Sequence, residues 1–257
     1  ETGGINLLNP RQLSIRSYRH DKENPSSLSY NPVNAIYEDA YGTLWVGTVE
    51  GGLNRKERNS EDFTHYTREH GGLSHNSVSA LTSDADNHLW IGTWGGGLNL
   101  LDLKAPRQIQ EVISSQTSGG FPINFIGVLN YDPINKGIWI GANQGLYFYD
   151  PIKKEITAPL PDKIAENIHG CIGSIIDKEG KLWVGCLEGV YIIDLHSRSS
   201  KGEFQYRHLN YKLDDPSSRL IEKITCFYEG KDGTLWLGSN GYGIYQRKID
   251  AQGKEQF

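Results

Sequence analysis

The sequence predicts an all-β fold, a β-propeller of four-stranded blades, and three observations carry that prediction. A motif of apolar residue, tryptophan, apolar residue and glycine recurs five times. Short apolar runs of strand length are separated by turns rich in Gly, Asp and Asn, and helical periodicity is almost absent.

The motif reads LWVG at Leu44 to Gly47, LWIG at Leu89 to Gly92, IWIG at Ile138 to Gly141, LWVG at Leu182 to Gly185 and LWLG at Leu235 to Gly238. Its tryptophans, Trp45, Trp90, Trp139, Trp183 and Trp236, follow one another at intervals of 45, 49, 44 and 53 residues. A mean of about 48 residues is the length of a propeller blade.

The elements follow in chain order. ETGGINLLNP matches TVEGGLNRKE and TWGGGLNLLD, so the chain enters at the third strand of a blade, and Ser14 to His20 supplies its fourth. Residues 1–20 therefore belong to a blade preceding the first tryptophan motif. In the first full blade, strands are expected at VNAIYED (Val33 to Asp39), TLWVGT (Thr43 to Thr48), LNRKE (Leu53 to Glu57) and FTHYTR (Phe63 to Arg68). The unbroken apolar run around Trp45 implies burial on both faces, as in a blade held between two others. Gly47 and its equivalents are expected where adjacent blades come too close for a side chain. The pairs Gly51-Gly52 and Gly96-Gly97 are expected to supply the positive φ of a tight hairpin. Asp39, Asp84 and Asp177, each six residues before a tryptophan, are expected to cap the preceding turn. The last unit reaches a third strand in GYGIYQRKI, with Phe257 where another strand would start. The whole chain, 1–257, is thus expected to be one propeller segment of five Trp-bearing blades plus half a blade. A ring of seven such blades would need on the order of 335 residues, so the segment is expected to be an arc of a larger propeller. Blades repeat because one blade cannot bury its own faces.

Composition narrows the function classes. The chain has 257 residues, 37% hydrophobic and 22% charged, and a formal net charge of -5, with a pI near 5.9. That balance argues against a nucleic-acid surface, which needs clustered Lys and Arg. No apolar run reaches the length of a membrane span, and the N-terminus lacks the pattern of a signal peptide. The chain contains no methionine, which points to a processed or excised piece. Cys171, Cys186 and Cys226 lack CxxC spacing and sit in apolar strand patterns, so they are expected to be small buried hydrophobes rather than a disulfide framework or a zinc site. No cofactor and no metal is implied.

The runs SLSYNPVNAIYEDAYGTLWVGTVEGGLNR and GLSHNSVSALTSDADNHLWIGTWGGGLNLLD resemble the two-component regulator propeller repeat. The shared features are the LS.N.V.A start, a turn of the D-x-x-G kind, LWVGT and GGLN, and the resemblance extends over nearly the whole chain. The third and fourth blades depart from it, losing the LS.N start and one glycine of the pair. In that family such propellers form the extracytoplasmic sensor of hybrid two-component systems in gut Bacteroidetes. Typically two seven-bladed propellers precede a β-sandwich, a membrane helix, a histidine kinase, a receiver and a DNA-binding domain. The resemblance implies a periplasmic, non-enzymatic sensor segment with an oligosaccharide ligand. Its partners would be the remaining blades and adjacent domains of the same receptor, or a second copy in a homodimer.

Repetition also separates scaffold from candidate site: a polar or aromatic residue that breaks the pattern in a loop is a candidate for function. Loops between blades, and loops between second and third strands, are expected to share one edge. Trp94 leads, as the one tryptophan outside the repeated motif, in the loop TWGGG. An exposed indole there offers an apolar face and a polar N–H to a sugar ring. At the same loop position stand Glu50, Asn143, Gln144, Glu188, Asn240 and Tyr242, donors and acceptors suited to hydroxyl groups. Among the loops between blades, Tyr30, His75, Asn124, His169 and Arg219 break the pattern.

Catalytic constellations are thin. HExxH, GxSxG and P-loop patterns are absent, and GTWGGGLNL precedes a strand where a phosphate loop needs a helix N-terminus. DADNH opens like a calcium loop, but Gly95 stands where the bidentate Glu belongs. The repeated aspartates fall on turns opposite the candidate edge, so no carboxylate pair for glycoside cleavage is assigned. Three classes follow in order: a non-catalytic sensor, a scaffold or interaction module of the same receptor, and a propeller glycoside hydrolase or lyase.

Overall fold

Each tryptophan motif forms the second strand of an antiparallel meander. The computed structural model describes residues 5–9, 14–161, 164, 168–209, 223–250, 252 and 255–257. The entry pair is β1 (Ile5–Asn9) with β2 (Ser14–Tyr18). Blade 1 comprises β3 (Val33–Glu38), β4 (Leu44–Thr48), β5 (Leu53–Lys56) and β6 (Phe63–Tyr66). Blade 2 comprises β7 (Val78–Ser83), β8 (His88–Thr93), β9 (Leu98–Asp102) and β10 (Gln110–Ile113). In blade 3 these become β11 (Ile126–Asp132), β12 (Gly137–Ala142), β13 (Leu146–Asp150) and β14 (Glu155–Thr157). Blade 4 has β15 (Gly173–Ile176), β16 (Lys181–Cys186), β17 (Gly189–Arg198) and β18 (Phe204–Leu209). Each of these four sheets pairs its strands in sequence order. Blade 5 shows three strands, β19 (Ile224–Glu229), β20 (Leu235–Ser239) and β21 (Gly243–Gln246). A separate pair follows, β22 (Lys248–Ile249) with β23 (Glu255–Gln256).

The chain divides into two compact units, Glu1–Ile126 and Gly127–Phe257. In both, one rule builds the core: the tryptophan of a blade is covered by the two aliphatic residues that flank the tryptophan of the next. Trp45 shares a cluster with Leu89 and Ile91 in the first unit. In the second unit Trp139 shares one with Leu182 and Val184, and Trp183 with Leu235 and Leu237. Burial of a ring this size removes about 150–250 Å² from water, worth about 4–6 kcal/mol before entropy is charged.

The motif glycines lie where the sequence places them, against the next first strand. A Cβ on Gly47 would come 2.5 Å from Cγ1 of Val78, and one on Gly92 would come 2.6 Å from Cγ2 of Ile126. On Gly185 it would strike the backbone of Ile224.

The repeated aspartates cap their turns and do something the spacing alone does not reveal. Asp39 accepts the N–H groups of Tyr41 and Thr43 on Oδ1, and its Oδ2 accepts the indole N–H of Trp45 at 2.8 Å. Asp84 and Asp177 repeat the arrangement, bonding Trp90 at 2.8 Å and Trp183 at 2.7 Å. Asp132 does the same for Trp139 across a turn longer by one residue. A polar indole edge is thereby satisfied inside the core, where an unpaired N–H would be costly.

Two sequence expectations need correcting. Only the second glycine of each pair has a positive φ, +78° at Gly52 and +76° at Gly97. The first is required by space: a Cβ on Gly51 would run into Ser29, and one on Gly96 into Ser74. Of the three cysteines, Cys171 and Cys186 are buried but Cys226 is exposed.

Candidate functional site

In the first unit the loops between blades and the hairpin loops interlock in one row through backbone hydrogen bonds. Val49 donates to the Pro32 carbonyl at 3.0 Å and Gly52 to that of Asn76 at 2.8 Å. Trp94 donates to Ser77 at 2.9 Å and Gly95 to Asn124 at 2.8 Å. Side chains of the local sequence brace these loops with hydrogen bonds. Thr48 Oγ1 donates to the Gly52 carbonyl and accepts the Gly51 N–H, and Thr93 serves Gly97 and Gly96 in the same way. Asn54 and Asn99, from the GGLN signature, accept the N–H groups of Ser29 and Ser74.

The row places Tyr30, Glu50, His75 and Trp94 along one edge of that unit. The Glu50 carboxylate beside the Tyr30 hydroxyl pushes the phenol's pKa up, first by hydrogen bonding and then by charge. His75 Nδ1 accepts the Ser77 N–H at 3.1 Å, which leaves Nε2 to carry the proton of a neutral ring. Its ring lies on the Trp94 loop, so close that a Cβ on Gly95 would come 2.7 Å from Cδ2. Trp94 is 44% exposed and forms an isolated antiparallel bridge with Phe125, itself 55% exposed. Two open aromatic rings therefore project from paired backbone.

Phe125 is a residue that the sequence reading missed, although the repeat held the signal. It follows Asn124 as Pro32 follows Asn31 and Ser77 follows Asn76, so an aromatic ring there breaks the pattern. Asn124 has a scaffold bond. Its Oδ1 accepts the Ser115 N–H at 3.0 Å, just as Asn31 accepts that of His20 and Asn76 that of Arg68.

The second unit carries a shorter row. Gly145 donates to the Ile168 carbonyl at 2.8 Å, Gly170 to Asn143 at 2.9 Å and Leu187 to His169 at 3.0 Å. Asn143 and Gln144 are exposed, and Gln144 bridges His169. His169 and Glu188 are brought together: the backbone N–H of His169 donates to Oε2 at 3.1 Å and its Nδ1 to Oε1 at 2.9 Å. The carbonyl of Glu188 accepts from His208 Nε2 at 3.0 Å, and the His208 ring stacks on Tyr191 at 4.1 Å. Burial pushes the Tyr191 phenol well up, with the nearby Cys186 and Glu188 adding to it. Asn240 and Tyr242 are exposed on the blade 5 hairpin, where Asn240 donates to the Lys223 carbonyl at 3.0 Å. Arg219 lies outside the described residues. Among the described residues no cluster of His, Cys, Asp and Glu has the makings of a metal centre, and no helix is long and apolar enough to cross a membrane.

Three segments of the chain, 27–50, 72–95 and 220–241, match the family model described as two component regulator propeller. Those three segments carry the two component regulator propeller repeat. The matched segments include Trp45, Trp90 and Trp236, and the family model passes over the blades of Trp139 and Trp183. No curated protein sequence matches the chain. Among solved structures, the extracellular domain of BT3049 from B. thetaiotaomicron, described as a hybrid two component system, is similar with a TM-score of 0.76 and 23% identity. The match covers 95% of this chain and 30% of that one. The extracellular domain of BT4673 from the same organism gives a TM-score of 0.69 at 21% identity, covering 91% of this chain and 29% of that one. Virginiamycin B lyase from Staphylococcus aureus is similar at 12% identity with a TM-score of 0.66, covering 99% of this chain and 76% of that one. At these identities the likeness is one of fold, the β-propeller. The chain spans less than a third of the length of the two extracellular domains.

Proposed function

We propose that this chain is a propeller segment of the extracytoplasmic, periplasmic sensor region of a hybrid two-component receptor, and that it recognises an oligosaccharide without turning it over. The repeat type and the likeness to two extracellular domains of such systems support the sensor reading. The observation that carries the ligand class is the pair Trp94 and Phe125, two exposed rings on bridged backbone beside His75. Open aromatic faces stack on the C–H faces of sugar rings, while the neighbouring Glu50, Tyr30 and His75 supply groups for hydroxyls. Signal transmission then requires the ligand to bind two receptor arrangements with different affinity.

A thermal-shift screen of the chain, Trp94→Ala and Phe125→Ala against a panel of plant and host oligosaccharides tests this reading. A ligand at 100 times its dissociation constant adds about 2.7 kcal/mol to the native state. The expected outcome is a shift with one glycan class that both substitutions remove. A shift that both variants keep would move the site off this edge, and no shift with any glycan would leave an interaction module of the receptor. The same mixtures, assayed for cleavage products, distinguish recognition from catalysis, because turnover abolished in Glu188→Gln would make the chain an enzyme.

A further inference from the structure

Beneath the loop row of the second unit lies a pair of sulfurs that the sensor reading does not use. Cys171 immediately precedes β15 by two residues and Cys186 ends β16, and Gly173 faces Gly185 across those strands. The register therefore brings the two cysteines, 15 residues apart, to the open end of one hairpin. Their Sγ atoms stand 3.0 Å apart and both residues are buried. That separation is within about 1 Å of the length of a disulfide bond. Each partner is otherwise held: the Cys171 N–H donates to the Ala142 carbonyl, a Cβ on Gly141 would come 2.7 Å from Cys171 Cβ, and Cys186 pairs with Gly189 across β16 and β17.

We propose that Cys171 and Cys186 close into a disulfide that clamps the loop carrying His169 to the hairpin turn carrying Glu188. The clamp sits two residues from each member of that imidazole–carboxylate pair, and so fixes the edge on which the second row is built. The inference goes beyond the sensor reading and stands on this local geometry without it. Oxidation needs an external acceptor, and a low-molecular-weight disulfide suffices. One cysteine thiolate attacks it to give a mixed disulfide and a first free thiol. The second cysteine then displaces the other half, so one S–S bond is exchanged for another and both protons and both electrons leave on two released thiols. Closure belongs to the folding chain rather than the finished blade. Once packed, the Cys186 thiol is held well above its ordinary pKa by its hydrogen bond with Cys171 and by burial, which starves exchange of thiolate. Cys226, exposed on β19, is left as the free thiol.

The test is to refold the chain in a mixture of oxidised and reduced glutathione, block free thiols with iodoacetamide in denaturant, and read intact mass and peptide map. The expected product carries one alkyl group, on Cys226, and about 2 Da less than the corresponding dithiol, with the Cys171 and Cys186 peptides joined. A Cys226→Ser chain should give the same joined peptides and no alkyl group. In native buffer the bridge should resist a mild reductant that opens it fully in denaturant. Three alkylated cysteines in the wild-type chain, or a bridge that includes Cys226, overturns the proposal.

Discussion

Trp183 and Trp236 hold the same place in successive blades of the second unit, yet one is 0% and the other 37% exposed. Trp183 has the flanking leucines of the next motif, Leu235 and Leu237, against its ring and the Asp177 carboxylate on its indole N–H at 2.7 Å. At Trp236 the position six residues earlier is Gly230, and the neighbouring Tyr228 and Ile244 are exposed as well. The motif alone therefore does not bury a tryptophan. What covers Trp183 is Leu235 and Leu237 of the next motif and the Asp177 carboxylate, all outside its own four motif residues.

The comparison is broken most directly at the rings. Trp183→Ala should cost about 3–5 kcal/mol, the range for deleting a large aromatic from a packed core, while Trp236→Ala should cost well under half of that. Urea unfolding midpoints of the two variants would decide it; equal losses would mean that Trp236 is as well covered as Trp183. Next comes the carboxylate. Asp177→Ala strands the N–H groups of Glu179 and Lys181 and the indole of Trp183, at about 1–3 kcal/mol for each buried group that finds no water. Asp177→Asn, which keeps one acceptor oxygen, should recover part of the loss in the same assay. Glycine gives a smaller contrast. On Gly185 a methyl group meets the Ile224 backbone, which cannot step aside, whereas on Gly238 it meets the Cys226 side chain, which can. Gly185→Ala should cost about 1–3 kcal/mol by overpacking, and Gly238→Ala less, measured by thermal unfolding.

The smallest effects lie with the tyrosines, again split between covered and open positions. Burial raises the folded-state pKa of Tyr191 above its unfolded value. Its contribution to stability is therefore complete below about pH 10 and is lost as the pH rises toward the folded value. Stability measured from pH 8 upward should fall less steeply in Tyr191→Phe. Tyr30, on the open edge, owes its raised pKa to Glu50. Absorbance titration of Glu50→Gln should show that phenol ionising at lower pH, with the unfolding midpoint unchanged.

How much of this was legible without coordinates depends on whether a residue's reason is repeated. The tryptophans, the motif glycines and the turn aspartates were readable because each recurs at a fixed offset. Trp94 stands out in the sequence as a break in the repeat, and the structure leaves it 44% exposed. The bond that Asn124 shares in kind with Asn31 and Asn76 is not legible in sequence, because its donor, Ser115, lies nine residues away. The first glycine of each pair was given the wrong reason, since a clash with Ser29 or Ser74 involves residues more than twenty positions away.

By itself the sequence determined the all-β class, the blade length and the strand order, because a strand's period, its turns and its repeat are local properties of the chain. Only the tertiary structure decided that the aspartates bond the indoles, that Phe125 stands beside Trp94, that His169 meets Glu188 and that Cys171 meets Cys186. The aspartate–indole and cysteine pairs are set by turn geometry and strand register within a blade, and the other two by how a hairpin loop meets a loop between blades; neither kind of distance is written in the residues of one motif.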